Sequence, residues 1–258
     1  MNFRIKTEQG SRYLELPCRE EKIVEFCKSV GISNTSATEV MVDSVYLNDR
    51  ADALFRDKIF NLDKLNYLIK RLDSFDGKEM STFYAVAYGE KVDNIDSLIN
   101  LTFNTRCAGV VRDFSDLDAV GKELYLIEGG AVSPRVLEEL NRAKYLHSVM
   151  TQNPNPMVTP YGIIYKNKNE FEQVYDGIHF PQYEWEENIG IATIGKDGFE
   201  EYLYLPYAKT ELTKALERLG AISVTECKVI MESSLFNDEM KNILKGFPKD
   251  VYKRQAVR

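Results

Sequence analysis

The chain contains an internal repeat, in which residues 2–49 return without a gap 189 positions later. Tyr13–Pro17 (YLELP) corresponds to Tyr202–Pro206 (YLYLP), and Gly31 corresponds to Gly220. A repeat at a fixed spacing constrains the architecture before any other signal, because each copy must be one structural unit. The chain is therefore a small module, a different middle region and the same module again.

Each copy has the pattern of two strands, a helix and a third strand. Leu14 and Leu16 alternate with other residues until Pro17 ends the second strand. The helix that follows has apolar residues at i, i+3, i+4 and i+7. These residues are Ile23, Phe26, Cys27 and Val30 in the first copy and Leu212, Ala215, Leu216 and Leu219 in the second. In the last strand of the second copy, Val229 and Met231 are expected to face inward.

Between the copies the apolar spacing predicts helices. Three segments have this spacing: Leu62–Phe75, Met80–Ala87 and Asp96–Phe103, the last capped by Asp93 or Asn94. The sequence therefore predicts an α+β, elongated, multi-domain fold. It consists of a repeated small ββαβ module, each a three-stranded antiparallel sheet plus a helix, with an intervening helical bundle.

The regions that follow the bundle are expected to be a helix, a linker and a hairpin. Ser133-Pro134 is typical of a helix start, and that helix is expected to end near Thr151. Residues 152–156, with two prolines, are typical of a linker. Tyr161–Lys166 and Gln173–Tyr175 are then expected to pair as a hairpin.

These patterns divide the chain into five parts. They are a first module at 1–57, a helical region at 58–151 with an acidic segment at 110–128, a linker and hairpin at 152–188, a second module at 189–249 and a tail at 250–258. The tail begins Asp-Val-Tyr-Lys-Arg-Gln and resembles a translated sequencing-adaptor sequence. We therefore expect 250–258 to be an artefact, and the second module to be a truncated copy of a longer unit.

Composition excludes several classes of protein. The net charge is −7, from 40 acids and 33 bases, which argues against direct nucleic-acid binding because that requires a basic face. The four cysteines lie far apart, as expected for a reducing cytoplasm and not for a zinc site or a disulfide framework. The sequence has neither an apolar stretch of membrane-spanning length nor a secretion signal, so no membrane association is expected.

Residues with catalytic chemistry are sparse. The two histidines, His147 and His179, have no cysteine or carboxylate at metal-ligand spacing. The sequence contains no phosphate-binding loop, nucleophile elbow or metalloprotease motif. We therefore expect no enzyme activity, no catalytic residues, no metal and no cofactor.

The acidic segment allows two interpretations on physical grounds. Asp113, Asp116 and Asp118 precede an expected helix, where carboxylates interact favourably with the positive end of the helix dipole. They could therefore serve only as helix caps and as solubilising charge. Alternatively, they could form part of a surface that recognises a partner.

Four segments resemble the antirestriction protein ArdA family. The sharpest is Leu98–Asn104 (LINLTFN), which is followed by Asp116–Leu124 (DLDAVGKEL), a conservative version of the acidic stretch of that family. The Leu-Asn-x-Leu helix at Leu65–Leu68 and the helix at Glu79–Ala85 are also similar. The resemblance covers about residues 12–126, and the second module matches through the repeat.

The resemblance implies a function in DNA mimicry. ArdA-like proteins are acidic, often dimeric and carried on conjugative elements, and they occupy the DNA groove of Type I restriction–modification enzymes. It implies that the partner is the DNA-binding methyltransferase and specificity core of such an enzyme, with a homodimer as one assembly. The residues that would replace phosphates on the acidic protein-binding surface are Asp93, Asp96, Asp113, Asp116, Asp118, Glu123 and Glu128.

Charge density limits this interpretation. B-DNA carries about 24 charges over a dozen base pairs, whereas residues 39–129 hold 17 acids and 11 bases, a net charge of −6. Mimicry therefore requires that the acids lie on one face, or that two chains add their charges. If acids and bases are mixed, the alternative is a mobile-element protein that binds another protein through its repeated sheets, without DNA mimicry.

Overall fold

The computed structural model describes residues 1–8, 10–130, 132–153 and 155–232. Within these ranges the protein is α+β, with nine α-helices and three small antiparallel sheets, which confirms the predicted class. Among the helices in these ranges, none combines the length and apolar character that crossing a membrane requires.

The first module is a sheet with one helix on its inner face, as predicted. Its elements are β1 (Asn2–Thr7), β2 (Gly10–Glu15), α1 (Glu20–Val30) and β3 (Glu39–Tyr46). Strand β1 lies in the middle and pairs antiparallel with both neighbours. The four predicted apolar residues of α1 are all buried, and Gly31 ends the helix with a positive φ of 70° that favours glycine.

Two further elements extend this module beyond the repeated part. Helix α2 (Asp49–Phe55) begins at Asn48, whose side chain accepts a hydrogen bond from the Ala51 amide. Strand β4 (Lys58–Asn61) then pairs with β3, so the sheet has the order β2-β1-β3-β4. The sequence patterns did not predict this fourth strand.

The predicted helical bundle follows directly and shares one core with the sheet. It consists of α3 (Leu62–Asp73), α4 (Gly77–Gly89) and α5 (Ile95–Phe103). Each helix begins at a side-chain cap, supplied by Asn61, Asp76 and Asn94 respectively. These caps satisfy backbone amides that have no partner inside a helix, so the helix starts are fixed by local sequence.

The next region combines a small sheet with three helices. Its elements are β5 (Ala108–Val111), α6 (Leu117–Gly129), α7 (Pro134–Glu139), α8 (Arg142–Gln152), β6 (Met157–Thr159) and β7 (Gly162–Lys166). The sheet has the order β5-β7-β6. Strand β5 precedes the three helices in the sequence, and β6 and β7 follow them. The single helix predicted from Pro134 to Thr151 is divided at Leu140 and Asn141.

The predicted hairpin was wrong in one of its strands. Strand β7 pairs with β6 and β5, and Gln173–Tyr175 forms no strand. Residues 170–188 contain neither helix nor strand, and we call them the strap. The Tyr175 side chain is instead buried in the bundle, where it is fully inaccessible.

Side-chain amides from α5 hold the strap in place. Asn100 accepts hydrogen bonds from the Val174 and Tyr175 amides at 2.8 and 2.9 Å, and donates to the Tyr175 carbonyl at 2.9 Å. Asn104, one turn later, accepts from the Glu172 amide and donates to the Glu172 carbonyl, both at 2.8 Å. The two asparagines thus replace the backbone partners that an extended segment would find in a sheet.

A third asparagine acts in the same way at the other end of the bundle. Asn66 of α3 accepts from the Cys18 amide at 3.0 Å and donates to the Cys18 carbonyl at 2.9 Å. It is buried, as are Asn100 and Asn104. Buried amides are costly unless all their groups are paired, so each of these contacts fixes one path of the chain.

The second module repeats the first and packs beside it. It contains β8 (Gly190–Lys196), β9 (Phe199–Leu205), α9 (Lys209–Arg218) and β10 (Lys228–Glu232), with the strand order β10-β8-β9. Its core cluster, built around Ala192, Ile194, Leu203 and Ala215, is separate from the large core of the first module. The repeated topology that the sequence predicted is therefore confirmed.

The inward orientation predicted for Val229 and Met231 was wrong. These side chains are 45% and 38% exposed, whereas their counterparts Val40 and Val42 are buried. In the first module β4 pairs with β3 beside those valines, and within the described residues no strand takes that place on β10. Residues 233–249 of the predicted second module, and the tail at 250–258, lie outside the described residues.

Candidate acidic surface

Two of the seven predicted carboxylates lie at the start of α5. Asp93 is exposed and forms no ion pair with a base in the described part of the chain. Asp96 is partly buried, and its Oδ1 accepts a hydrogen bond from Lys64 Nζ of α3 at 2.7 Å. One of the two charges is therefore free, and the other is neutralised inside the protein.

Two more carboxylates are fixed in the loop before α6. Asp113 accepts hydrogen bonds from the Ser115 amide at 2.8 Å and hydroxyl at 2.9 Å, and these bonds lower the pKa of its carboxyl group. Asp116 caps α6 by accepting from the Ala119 amide at 2.9 Å. Both are exposed, and no base of the described residues lies within ion-pair distance of either. Both are oriented anions, and Asp116 is in addition the N-cap of α6.

The remaining three carboxylates are paired with bases from other elements. Asp118 pairs with Arg142 at 2.7 Å, and Glu123 pairs with Lys78 at 3.1 Å. Glu128 accepts a hydrogen bond from the Tyr145 hydroxyl and lies 3.9 Å from the nitrogen of the exposed Lys168. The acidic face of α6 is therefore bordered by bases from distant parts of the chain, which the sequence analysis did not predict to lie there.

The density of charge along α6 is low compared with that of DNA. A helix of its 13 residues is about 20 Å long, a length of B-DNA that carries roughly 12 phosphate charges. Over this length the chain offers four acids and one base, which are Asp116, Asp118, Glu123, Glu128 and Lys122. The seven carboxylates are thus present at the surface, but they do not by themselves reproduce the charge density of a duplex.

The densest group of ionised side chains lies elsewhere, between the two modules. Lys214 of α9 is only 4% exposed, and its Nζ lies 3.0 Å from Glu20 Oε1 and 2.6 Å from Asp63 Oδ1. Arg218, one turn later, forms two hydrogen bonds with Glu201 at 2.7 and 2.9 Å and lies 3.7 Å from Asp63. The chain Glu20–Lys214–Asp63–Arg218–Glu201 therefore links the first module to the second.

Burial and pairing act in opposite directions on this network. Burial alone would lower the pKa of Lys214, but Asp63 and Glu20 outweigh it and raise that pKa. Burial raises the pKa of Glu201, and the Arg218 guanidinium offsets part of this effect. The network is stable only when complete, because removing one member leaves a charge buried without a partner.

Beside this network is a cleft of about 190 Å³. Its walls come from α1, α3, β9, α9 and the strap, and its aromatic side includes Tyr67, Phe180, Tyr183 and Trp185. Phe180 stacks on Tyr67 with ring centroids 4.8 Å apart, and the Tyr67 hydroxyl donates to the Pro181 carbonyl at 2.9 Å. These contacts hold the strap against α3 and leave the charged side of the cleft open.

Neither histidine belongs to a metal-binding cluster within the described residues. His147 is exposed on α8. His179 Nδ1 lies 2.7 Å from Asp176 Oδ2, but the ring stacks on Phe199 and Asp176 also accepts from the His179 amide. Across the described ranges no group of three or more His, Cys, Asp or Glu side chains is placed to hold a metal ion.

Sequence reasoning missed the interdomain ionic network entirely. Its five members lie in four different elements, and a single sequence contains no signal that brings Glu20, Asp63 and Lys214 together. The three asparagines were detectable in principle, because Asn66 and Asn100 occupy buried positions of helices that otherwise carry apolar residues. They carry part of the resemblance to ArdA, and here they bind the chain's own backbone.

Comparisons with known proteins identify no relative: no family model, curated protein or solved structure matches the chain.

Proposed function

We propose that the protein is an ArdA-like antirestriction protein, which acts in the cytoplasm on a Type I restriction–modification enzyme. It would bind the DNA-binding methyltransferase and specificity core and prevent DNA from entering, so that an incoming mobile element escapes cleavage. The observation that carries this proposal is the presence of three exposed carboxylates, Asp93, Asp113 and Asp116, with no base of the described residues in ion-pair range. Inhibition would be stoichiometric, since binding alone blocks the groove.

Orientation makes two of these carboxylates suitable ligands for basic side chains. Asp113 and Asp116 are held by hydrogen bonds from Ser115 and from the Ala119 amide, so little side-chain freedom is lost on binding. The lowered pKa of Asp113 keeps that group ionised across the physiological range. Fixed negative charge opposite a basic groove increases the association rate and makes affinity sensitive to salt.

The paired carboxylates could contribute by exchanging partners. Asp118 is 58% exposed at its side chain, and Glu123 is 36% exposed. Exposed ion pairs stabilise a protein by only about 0–1 kcal/mol. An arginine or lysine of the target enzyme can therefore replace Arg142 or Lys78 at small cost, which would enlarge the acidic face during binding.

A second function is favoured by the same ion pairs. Four of the seven carboxylates, Asp96, Asp118, Glu123 and Glu128, have a base of this chain within 4 Å, so the surface is mixed in charge. A mixed surface is typical of ordinary protein recognition. The alternative proposal is a mobile-element interaction module that binds another protein without imitating DNA.

The experiment that tests the first proposal is inhibition of plasmid cleavage. Unmodified plasmid is incubated with Type I enzymes of several families and increasing amounts of the protein. The variant D93N/D113N/D116N should inhibit at least about tenfold less well, since three favourable charge contacts are removed. The control is E25Q, which removes one exposed acid from α1 outside this surface.

The outcomes separate the two functions. Full cleavage by every enzyme at saturating protein would refute the antirestriction proposal. The interaction module would instead be supported if the protein binds an enzyme and competing duplex DNA does not weaken that binding. In that case the affinity of the wild-type protein should depend on salt no more steeply than the affinity of the triple variant. Mimicry would be supported if the wild-type protein inhibits cleavage, if added duplex DNA relieves this inhibition, and if the triple variant does not inhibit.

A further inference from the structure

The direct contact of helix α9 with the first module is mainly ionic and is separate from both hydrophobic cores. The core cluster of the second module includes no buried residue of the first. Helix α9 is held instead by Lys214 and Arg218, and by the Ser36 amide, which donates to Glu217 Oε2 at 3.0 Å. A contact of this kind responds to charge more than to apolar area, so its strength depends on which side chains are ionised.

Glu211 occupies a special position in the cleft beside this contact. It lies on α9 one turn before Lys214, and its Oε2 accepts a hydrogen bond from the Ala208 amide at 2.9 Å. No base of the described residues is within ion-pair distance of Glu211. Lys214 is already shared by Glu20 and Asp63, and Lys70 lies over the Trp185 ring, 5.4 Å from its centroid.

Other charged and titratable groups line the cleft around Glu211. They are Arg19, Glu20 and Glu21 at the start of α1, Asp63, Tyr67 and Lys70 on α3, Tyr183, Glu186 and Glu187 of the strap, Glu201, Tyr202 and Tyr204 of β9, and Lys214 and Arg218 on α9. Tyr207 lies close to Glu211 as well. Arg19 pairs with Glu186, and Arg218 pairs with Glu201. Burial is therefore the main cause that opposes ionisation of Glu211, while Lys70 favours the charged form and Glu20 and Glu21 oppose it.

We propose that docking of the second module on the first is proton-linked: the modules pack closely while Glu211 is neutral, and the contact loosens when Glu211 ionises. Burial, together with Glu20 and Glu21, raises the pKa of Glu211 from 4.5 to about 7 in the docked state, against the lowering effects of the Ala208 amide and Lys70. Because the docked state favours the neutral form, this contribution is complete below about pH 4.5 and is lost as the pH rises through about 7. The change falls within the physiological range of pH.

Trp185 provides a direct test, because it is the only tryptophan of the chain and lines the cleft. Its indole donates to Asp73 Oδ2 at 3.1 Å on the α3 side, so it remains in place when α9 moves away. We expect quenching of its fluorescence by acrylamide to increase between about pH 4.5 and pH 7, and to change little at higher pH. The docking equilibrium constant should fall by roughly tenfold or more over this range, allowing for the partial exposure of Glu211.

Two variants assign the transition. In E211Q the side chain stays neutral, so quenching should remain low and independent of pH. In E25Q, an exposed acid of α1 outside the cleft, the transition should be unchanged. If quenching of Trp185 in the wild-type protein does not change with pH, the proposal is overturned. This result does not depend on whether any variant folds. A transition that persists in folded E211Q would also overturn it and would assign the titration to another group.

Discussion

Replacing Asn100 with alanine should destabilise the protein much more than loss of one side-chain amide usually does. Asn100 is 5% exposed and bonds to two consecutive residues of the strap, Val174 and Tyr175. Val174 is 41% exposed, so water can reach its amide when Asn100 is removed. Tyr175 is fully buried, so its amide would lose its partner without replacement, and its carbonyl would keep only a long contact of 3.5 Å from Gln173 Nε2.

The magnitude follows from these two orphaned groups. Leaving a buried backbone donor or acceptor unpaired costs about 1–3 kcal/mol, so two of them cost about 4 kcal/mol. Alanine is a better helix former than asparagine by about 0.6 kcal/mol, which offsets a small part. The expected net loss is therefore about 3 kcal/mol, a large share of the roughly 5–15 kcal/mol that stabilises a typical domain.

The assay is urea denaturation followed by circular dichroism and by Trp185 fluorescence. A loss of about 3 kcal/mol should move the midpoint by roughly 1 M for a chain of this size. The matched control is Asn94→Ala on the same helix, where the side chain caps the Asp96 and Ser97 amides at an exposed site. Loss of such a cap costs about 1 kcal/mol.

The order of the two variants decides the outcome. If Asn100→Ala loses no more stability than Asn94→Ala, then the strap is not held by the amide of Asn100, and the reasoning from orphaned groups is wrong. A further expectation is that the strap loosens first, so the Trp185 signal of Asn100→Ala should change at lower urea than the helical signal.

Two other substitutions test contacts that the sequence did not indicate. Lys214→Ala should cost about 3–5 kcal/mol, because it leaves buried Glu20 without its base and buried Asp63 with only the more distant Arg218. Lys168→Ala removes an exposed and distant partner of Glu128 and should cost less than about 1 kcal/mol in the same urea titration. Equal losses would show that the interdomain network is not a buried one. Gly121→Ala should cost about 1–3 kcal/mol, since a Cβ at this position of α6 would lie 2.2 Å from the Arg142 carbonyl oxygen of α8. The control is Gly129→Ala, whose Cβ would meet Val132 at an ordinary 3.6 Å, and both variants are compared by thermal unfolding. If Gly121→Ala is as stable as Gly129→Ala, the close packing of α6 and α8 is contradicted.

The elements that the sequence predicted well are those with local causes. The apolar stripe of α1, the glycine at its end and the Asn94 cap of α5 each depend on residues within two turns of one another. The repeat added the topology of the second module, since β8, β9, α9 and β10 follow the order of their counterparts.

The features that the sequence did not predict depend on distant segments. The strap forms no strand because Asn100 and Asn104 satisfy its backbone, and their effect is 68–75 residues away along the chain. The partners of the acidic residues are equally remote, as in the pair Glu123–Lys78. Net charge and sequence spacing therefore identified where the acids lie in the chain, but not which of them remain free.

The buried asparagines have a consequence for how this protein can change during evolution. Asn66, Asn100 and Asn104 hold these distant segments through backbone amides and carbonyls of the segments. Since every residue except proline offers the same two groups, the side chains of the strap can vary while the asparagines cannot. A relative of this protein would therefore be expected to retain the three asparagines after the sequence at 170–188 has become unrecognisable.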